Sequence, residues 1–206
     1  MWTRRPPRRT DRWGAHNMDK VKFKGMSLEP IFLTLIDEDN LSGVREMFSG
    51  FPDSEYMLGE LERSYVPKYD EQGKRTRYGF YVHYNGELAG LTMLTVDNWK
   101  HCRAYTGADI LTHMRGKGIT PQCKPLLFYL AFEILDLNRV ETGCLVSNIA
   151  SKKSIEKTPG FQFEGTLREY CCNEKGDFED EYRYSILKKE WMELYDKISV
   201  KIIMSD

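Results

Sequence analysis

The run His113-Met114-Arg115-Gly116-Lys117-Gly118-Ile119 sets two glycines among basic residues, just ahead of a long apolar stretch. Glycine lets the backbone approach a ligand closely, and the first N–H groups of a helix have no partner inside it. An anion placed there gains those hydrogen bonds and roughly 0.3–1 kcal/mol from the helix dipole. The pair lacks the third glycine and the later acid of a dinucleotide fingerprint, and the chain has no Walker pattern. Further on, Asn148-Ile149-Ala150-Ser151 opens a short charged helix pattern and leads to Gly160-Phe161-Gln162-Phe163-Glu164-Gly165. Asparagine suits a helix N-cap, and a serine three residues later either satisfies backbone groups or offers a hydroxyl proton.

Proton acceptors are less sharply marked. Glu169 sits on a strand pattern after Gly165, while His101, Asp97 and Glu60 are further options. His101 qualifies because an imidazole titrates near pH ~6.5. Trp99, Tyr105 and Tyr170 either wall a pocket or pack in the core. The Glu164-Gly165 step reads as a bend or bulge rather than a site.

These residues must be held by elements that the pattern places in order. Lys20–Lys24 reads as a first strand; Asp39–Phe48 and Ser54–Tyr65 read as helices, the second closed by Pro67, and Lys68–Arg77 as a loop. Phe80–Tyr84 runs into Asn85-Gly86, the dipeptide of a type I′ turn, and Leu88–Val96 returns. Arg103–Met114 is expected as the next strand. Thr120 is expected to cap a helix with Pro121 at its first position, and Pro125 to delay or kink it before Leu126, Leu127, Leu130, Ile134 and Leu135 recur at helical spacing. Arg139–Val146 reads as a strand and Ile149–Lys157 as a short helix. Phe161–Asn173 and the alternating Phe178, Tyr182, Tyr184 and Ile186 form a hairpin about Glu174–Asp177, and Lys188–Ile198 a terminal helix. Hairpins with helices between them imply a mixed α/β sheet.

The totals bound the class. At 206 residues the expectation is a basic tail over 1–17 and one domain over 18–206, large enough to bury roughly 70% of its unfolded surface. Arg4, Arg5, Arg8, Arg9 and Arg12 against Asp11 give the tail +4; with −1 overall, the remaining chain carries −5. A body of that sign argues against a nucleic-acid partner. The apolar stretches Ile31–Ile36 and Leu126–Phe132 fall short of the ~20 residues that span a bilayer, so no membrane partner is expected. The five cysteines (102, 123, 144, 171 and 172) and four histidines have no metal-ligand spacing, and reduced thiols point to a cytoplasmic protein without a metal.

Taken together, the motifs resemble the GNAT superfamily of N-acetyltransferases, and within it the RimJ/RimL-like branch. Arg103-Ala104-Tyr105-Thr106-Gly107 resembles the strand entering that family's acetyl-CoA site, Arg115-Gly116-Lys117-Gly118 its pyrophosphate loop, and Leu137-Asn138-Arg139-Val140 the branch's motif before the next strand. Asn148 through Lys157 and Gly160 through Arg168 resemble the segment that follows, so the match covers about residues 80–188. Three positions depart from the pattern: His113, Thr158-Pro159 and Thr120-Pro121-Gln122.

The resemblance implies a three-layer α/β (mixed α+β) fold whose central, mostly antiparallel mixed sheet is flanked by helices and splayed at the acetyl-CoA site. It implies direct transfer of an acetyl group from acetyl-CoA to a primary amine, with a protein N-terminal amine favoured. A small amine or polyamine is the alternative, and a non-catalytic acyl-CoA-binding sensor or scaffold is the reading of another class. Asp109, Ile110, Leu111 and Thr112 would offer backbone groups to the pantetheine arm, with an N–H near Ile110 or Leu111 polarising the thioester carbonyl. Arg115, Gly116, Lys117, Gly118 and Ile119 would hold the pyrophosphate. Asn148 would position the cofactor or cap its helix. Ser151 would protonate the leaving thiolate, whose pKa is about 8.5, and Glu169 would act as base. Lys152 and Lys153 either reach nucleotide phosphates or form a solvated helix face. A homodimer stays open.

Overall fold

The computed structural model describes residues 23–48, 63–172, 176–195 and 200–204. Among these, ten strands form one sheet in the order β10-β1-β2-β4-β5-β6-β7-β9-β8, with β3 paired to β4. The strands are β1 (Phe23–Leu28), β2 (Ile31–Leu35), β3 (Lys68–Tyr69), β4 (Arg75–Tyr84), β5 (Glu87–Asn98), β6 (Arg103–Ile110), β7 (Arg139–Leu145), β8 (Gln162–Cys172), β9 (Phe178–Leu187) and β10 (Lys201–Met204). The helices are α1 (Ser42–Phe48), α2 (Ile119–Tyr129), α3 (Ile149–Glu156) and α4 (Lys188–Tyr195). Neighbouring strands are antiparallel except for β6 and β7, which are parallel and joined through α2.

The sheet is covered on both faces. On one, α2 brings Leu126, Leu127 and Phe128 onto Leu33, Phe80 and Leu94. Phe128 and Phe132 meet the fully buried Trp191 of α4 with ring centroids 6.0 and 6.3 Å apart. Each such side chain removed from water contributes about 1.5–3 kcal/mol. On the other face, Val44 of α1 and Tyr65 pack with Ile36, Tyr81 and Leu91. The resulting helix–sheet–helix arrangement is the mixed, mostly antiparallel fold implied by the motifs.

Several local expectations are met. Asn85 and Gly86 both have positive φ (51° and 82°), and Tyr84 pairs with Glu87, as a type I′ hairpin requires. Asn148 caps α3, its Oδ1 accepting from Ser151 N–H at 2.9 Å. Others are corrected. Residues 20–22 of the expected first strand lie outside the described residues, its described part being the strand Phe23–Leu28, and Ile31–Leu35 is itself a strand, its burial alternating between the two faces. The expected loop 68–77 holds β3 and the start of β4, because Asp70 organises a tight turn: its carboxylate accepts from Lys74 N–H at 2.8 Å.

The strand expected over 103–114 ends at Ile110, and Thr112–Met114 is one 3₁₀ turn. Thr120 is not the cap of α2; Gly118 is, in the left-handed region at φ 70°, which puts Pro121 inside the first turn where it loses no hydrogen bond. Pro125 is accommodated without breaking the helix, which closes in a π turn with Leu135 N–H donating to Leu130 C=O at 2.9 Å. The terminal helix is described from Lys188 to Tyr195, residues 196–198 of its expected span lying outside the described residues, and β10 pairs antiparallel with β1, joining the two ends of the described chain. The tail 1–17, most of the helix expected over Ser54–Tyr65, and Glu174 and Lys175 of the expected turn lie outside the described residues; residues 63–65 are helical.

Candidate active site

The parallel pair β6/β7 builds the site by failing to stay paired. Its ladder holds Arg103↔Arg139, Ala104↔Val140 and Tyr105↔Glu141, and then stops. The same β6 residues stay paired with β5 as far as Gly90↔Ile110, so β7 is the strand that diverges. Thr142 Oγ–H reaching Thr106 C=O at 3.0 Å is the last bond across the seam. Past it, a cleft opens at the carboxyl ends of both strands, where open α/β sheets present their ligand crevices.

Backbone direction decides what faces that cleft. Leu111 N–H donates to Ala89 C=O at 2.9 Å and is therefore committed to β5. Peptide groups alternate sides along a strand, so Ile110 N–H points away from β5, toward the departed β7. Of the two amides expected near the thioester, the geometry singles out Ile110. Thr112 lies in the 3₁₀ turn that follows, its C=O accepting from Arg115 N–H at 3.3 Å. The Arg115 amide is thus occupied as well, and its side chain folds back so that Nε meets Ile110 C=O at 3.0 Å.

The Gly116-Lys117-Gly118 loop has the shape its composition promised. Gly116 and Gly118 take φ 79° and 70°, conformations that a Cβ disfavours. A Cβ built on Gly116 meets nothing within 4 Å, so that face is open to a ligand. Among the described backbone bonds, none uses the N–H groups of Gly116, Lys117 or Gly118. With Ile119 they form a run of donors at the start of α2. Gln122 reinforces the loop by donating to Gly118 C=O at 2.9 Å. Lys117 lies near Met114, Nζ to Sδ 3.2 Å, and His113 pairs with Glu87 at 3.6 Å when protonated.

Asn148 and Ser151 stand across the cleft, where α3 starts after β7. Ser151 lies near the thiol of Cys144 on β7, whose pKa is raised chiefly by burial. Both helix N-termini therefore flank one crevice. Lys152 pairs with Glu156 at 3.8 Å and rests 4.8 Å from the Tyr182 ring centroid, and Lys153 is exposed.

On the sheet face opposite α2, a cavity of about 500 Å³ adjoins the seam, with Tyr105, Glu141, Tyr170, Glu181 and Arg183 among its walls. Asp97 and Arg103, joined by an ion pair in which Arg103 Nε and Nη2 both donate to Asp97 Oδ2, complete its rim. Burial raises the pKa of the Tyr105 phenol, with the Glu181 charge adding to it. Tyr105, Tyr170 and Asp97 were legible as candidates. Glu141, Glu181 and Arg183 were not, although the residues alternating with Tyr182 and Tyr184 on β9 had to face away from the core. Glu169 lies on the outermost strand, exposed, at φ 50° in an irregular stretch of β8, its N–H donating to Asp180 at 2.8 Å. It does not line the cavity, and neither does His101, an exposed turn residue. Trp99 packs against the core, and Glu60 lies outside the described residues.

One buried cation went unnoticed in the sequence. Lys124 of α2 is 3% exposed, and its Nζ donates to Thr106 Oγ1 and Gly107 C=O, both at 2.9 Å. Burial lowers its pKa to about 8. No group of three or more His, Cys, Asp or Glu side chains able to hold a metal occurs among the described residues. No described helix is long and apolar enough to cross a membrane.

No family model matches the chain. Among curated proteins, it is 31% identical over 120 residues to the uncharacterised N-acetyltransferase p20 of Bacillus licheniformis, covering 58% of this chain and 66% of that one. It is 38% identical over 109 residues to YdaF of Bacillus subtilis (strain 168), provisionally named a ribosomal N-acetyltransferase, covering 52% and 58%. The matched segments thus span 58–66% of these relatives' own lengths. A crystal structure provisionally described as an acetyltransferase superposes with TM-score 0.60 at 26% identity, covering 80% of this chain and 96% of that one. A dodecameric spermidine N-acetyltransferase of Vibrio cholerae shares the fold with TM-score 0.62 at 21% identity, covering 80% and 98%. The splayed parallel pair, the left-handed Gly116–Gly118 loop and these likenesses in sequence and fold converge: the chain has the fold of the GNAT N-acetyltransferases and is similar to them in sequence, with motifs compatible with the RimJ/RimL-like branch.

Proposed function

We propose that the protein transfers an acetyl group from acetyl-CoA to a primary amine, by direct attack with both substrates bound. The observation that carries this reading is the β6/β7 ladder, which ends after Tyr105↔Glu141 beside a run of unused loop amides. The residues fit the co-substrate: Ile110 N–H faces the cleft, the amides of Gly116–Ile119 and the Lys117 charge suit a pyrophosphate, and Asn148 flanks the crevice. Leu111, Thr112 and Arg115 shape it with backbone bonds already made. Acetyl-CoA supplies an activated acyl group; the protein aligns it with the amine, converting an encounter into an effectively unimolecular step. Ile110 N–H is placed to stabilise charge on the carbonyl oxygen. Ser151 is the proposed proton donor to the departing thiolate. Glu169, exposed beside the cavity residue Tyr170, is the proposed carboxylate that passes the amine's proton to water.

The cavity on the far face of the seam is the proposed acceptor site. A protein N-terminal amine is the favoured acceptor, in keeping with the provisional name of YdaF. A polyamine is the alternative, favoured by the likeness to spermidine N-acetyltransferases and by the −5 charge of residues 18–206. Reduced cysteines suit a cytoplasmic setting, and the exposed edge strand β8 suits pairing with a second copy. We extend the single-domain reading to residues 18–206, with 1–17 as a basic extension.

Isothermal titration with acetyl-CoA, followed by thiol release over a panel of N-terminal peptides and polyamines, tests the reading. Binding with thiol release supports it. Binding without release by any amine favours an acyl-CoA sensor, and no binding at millimolar ligand overturns both.

A further inference from the structure

We propose that Glu181 receives the ammonium group of the acceptor and takes its first proton, an inference that rests on acetyl transfer in this cleft. Glu181 is 8% exposed and lines the cavity, yet its Oε1 has no hydrogen-bond donor among the described residues. Arg183 Nη1 lies 3.0 Å from that oxygen, close enough for charge attraction but outside hydrogen-bonding geometry. Buried polar atoms are nearly always satisfied, so this oxygen marks a place for a donor. The other oxygen is occupied: Oε2 accepts from the Cys171 thiol at 3.3 Å, which fixes the carboxylate's orientation.

The remaining lining carboxylates are already matched. Asp97 holds Arg103, and Glu141 holds Arg139 at 2.7 Å with Arg103 at 3.8 Å. Glu181 also stands at the right place along the seam. Its Oε1 lies so close over Gly143 that a Cβ there would collide with it. Gly143 is the second residue of β7 past Glu141, the last to pair with β6, so the carboxylate sits where the cleft opens. Tyr105 and Tyr170 flank the same space, their ring centroids 5.9 and 5.1 Å from the Arg183 guanidinium. Aromatic faces accept a cation. The Arg183 guanidinium faces both rings and the oxygen without hydrogen-bonding it, so a primary ammonium entering here takes over these positions from Arg183.

The proton count closes. The ammonium nitrogen gives one proton to Glu181 Oε1 and becomes a neutral amine. Its lone pair forms the C–N bond as the C–S bond breaks. The nitrogen's second proton leaves by way of Ser151 to the thiolate, giving a thiol and an amide. Glu181 then releases its proton to water, the onward step that Glu169 is proposed to assist from the rim, and no oxidant or further reactant is needed.

Two measurements decide the matter. In the first, Glu181→Gln keeps the shape and removes the charge. We expect kcat/KM for the amine to fall by about a hundredfold or more, with unchanged acetyl-CoA affinity and melting temperature. Unchanged kcat/KM overturns the proposal while leaving acetyl transfer intact. The second uses the wild-type protein and so survives a variant that fails to fold. Spermidine and the tripeptide Ala-Ala-Ala are each compared, as inhibitors or substrates, with their N-trimethylated forms, which keep the charge but lose the N–H donors. At least tenfold weaker binding of the methylated form of the better acceptor supports the proposal, and equal binding overturns it. Wild-type protein that transfers no acetyl group overturns this inference together with the function on which it rests.

Discussion

The hydroxyl of Tyr65 donates a 2.6 Å hydrogen bond to Asp109, 44 residues later, and so ties the helical turn at 63–65 to the last residues of β6. Burial and the neighbouring carboxylate raise the Tyr65 pKa well above its ordinary value, so it remains the donor. The bond holds β6 in place on the side where β7 no longer does. A hydrogen bond to a charged partner is worth about 1.5–3 kcal/mol. Tyr65→Phe is expected to lose about that much in a urea melt and to weaken acetyl-CoA binding several-fold in calorimetry. A melt indistinguishable from wild type would show that the bond carries no stability.

Lys124 gives a pH dependence with a definite sign. Its pKa is about 8 in the folded protein and 10.5 ordinarily, so between those values the unfolded chain keeps a proton that the folded one has lost. Stability therefore rises with pH through that window, by at most about 1.4 kcal/mol per pH unit. Above pH ~10 the buried phenols act in the opposite direction, Tyr184 being raised to about 12 and Tyr65 raised as well. The thiols of Cys123, Cys144 and Cys171, raised chiefly by burial, also oppose the rise between about pH 8 and 10. The Lys124 contribution is therefore read as the difference between wild type and a Lys124 variant over this interval. Lys124→Met is expected to fold and to flatten the rise, because Thr92 still donates to Gly107 C=O at 2.8 Å and Thr106 to Met93 C=O at 2.6 Å. Urea melts of both proteins across this interval check it, and parallel slopes would refute the assignment.

Gly118→Ala tests the loop. A Cβ there meets only Gln122 Nε2, at 3.6 Å, so crowding inside the protein is not the expected cost. The cost is the left-handed φ of 70°, about 1–2 kcal/mol for an L-residue. Relaxing that strain turns the loop amides away, and acetyl-CoA affinity should drop about tenfold or more. Unchanged affinity by calorimetry would remove the loop from the site.

Ser151 and Asn148 separate by what each loses. Ser151→Ala keeps the backbone N–H that Asn148 caps, so turnover should fall while acetyl-CoA binding and stability stay near wild type. Asn148→Ala removes the cap, at a cost of about 1 kcal/mol, and should raise the acetyl-CoA Kd. Steady-state kinetics beside calorimetry reads both, and unaltered turnover in Ser151→Ala would dismiss it as the donor.

Local chemistry was legible because it is written within a few residues. Asn85-Gly86 specifies its own turn, Asn148 its own cap, and Gly116 and Gly118 the positive φ of the loop. The apolar run from Leu126 to Leu135 specifies a buried helix, and the motif order pointed to the superfamily before any coordinates. Long-range decisions were not written there. Strand β10 closes on β1 through register and burial that four residues cannot advertise. Only the sheet order sets Glu181 of β9 over Gly143 of β7 and leaves Glu169 on the outer edge. Only the register of β6 on β5 decides that Ile110, and not Leu111, turns its N–H away from β5, and only the divergence of β7 leaves a cleft on that side. Pairing partners are chosen by the whole core, so the residues that share a cavity wall are settled by the tertiary structure, while the sequence settles which local shapes and reactive groups it has to work with.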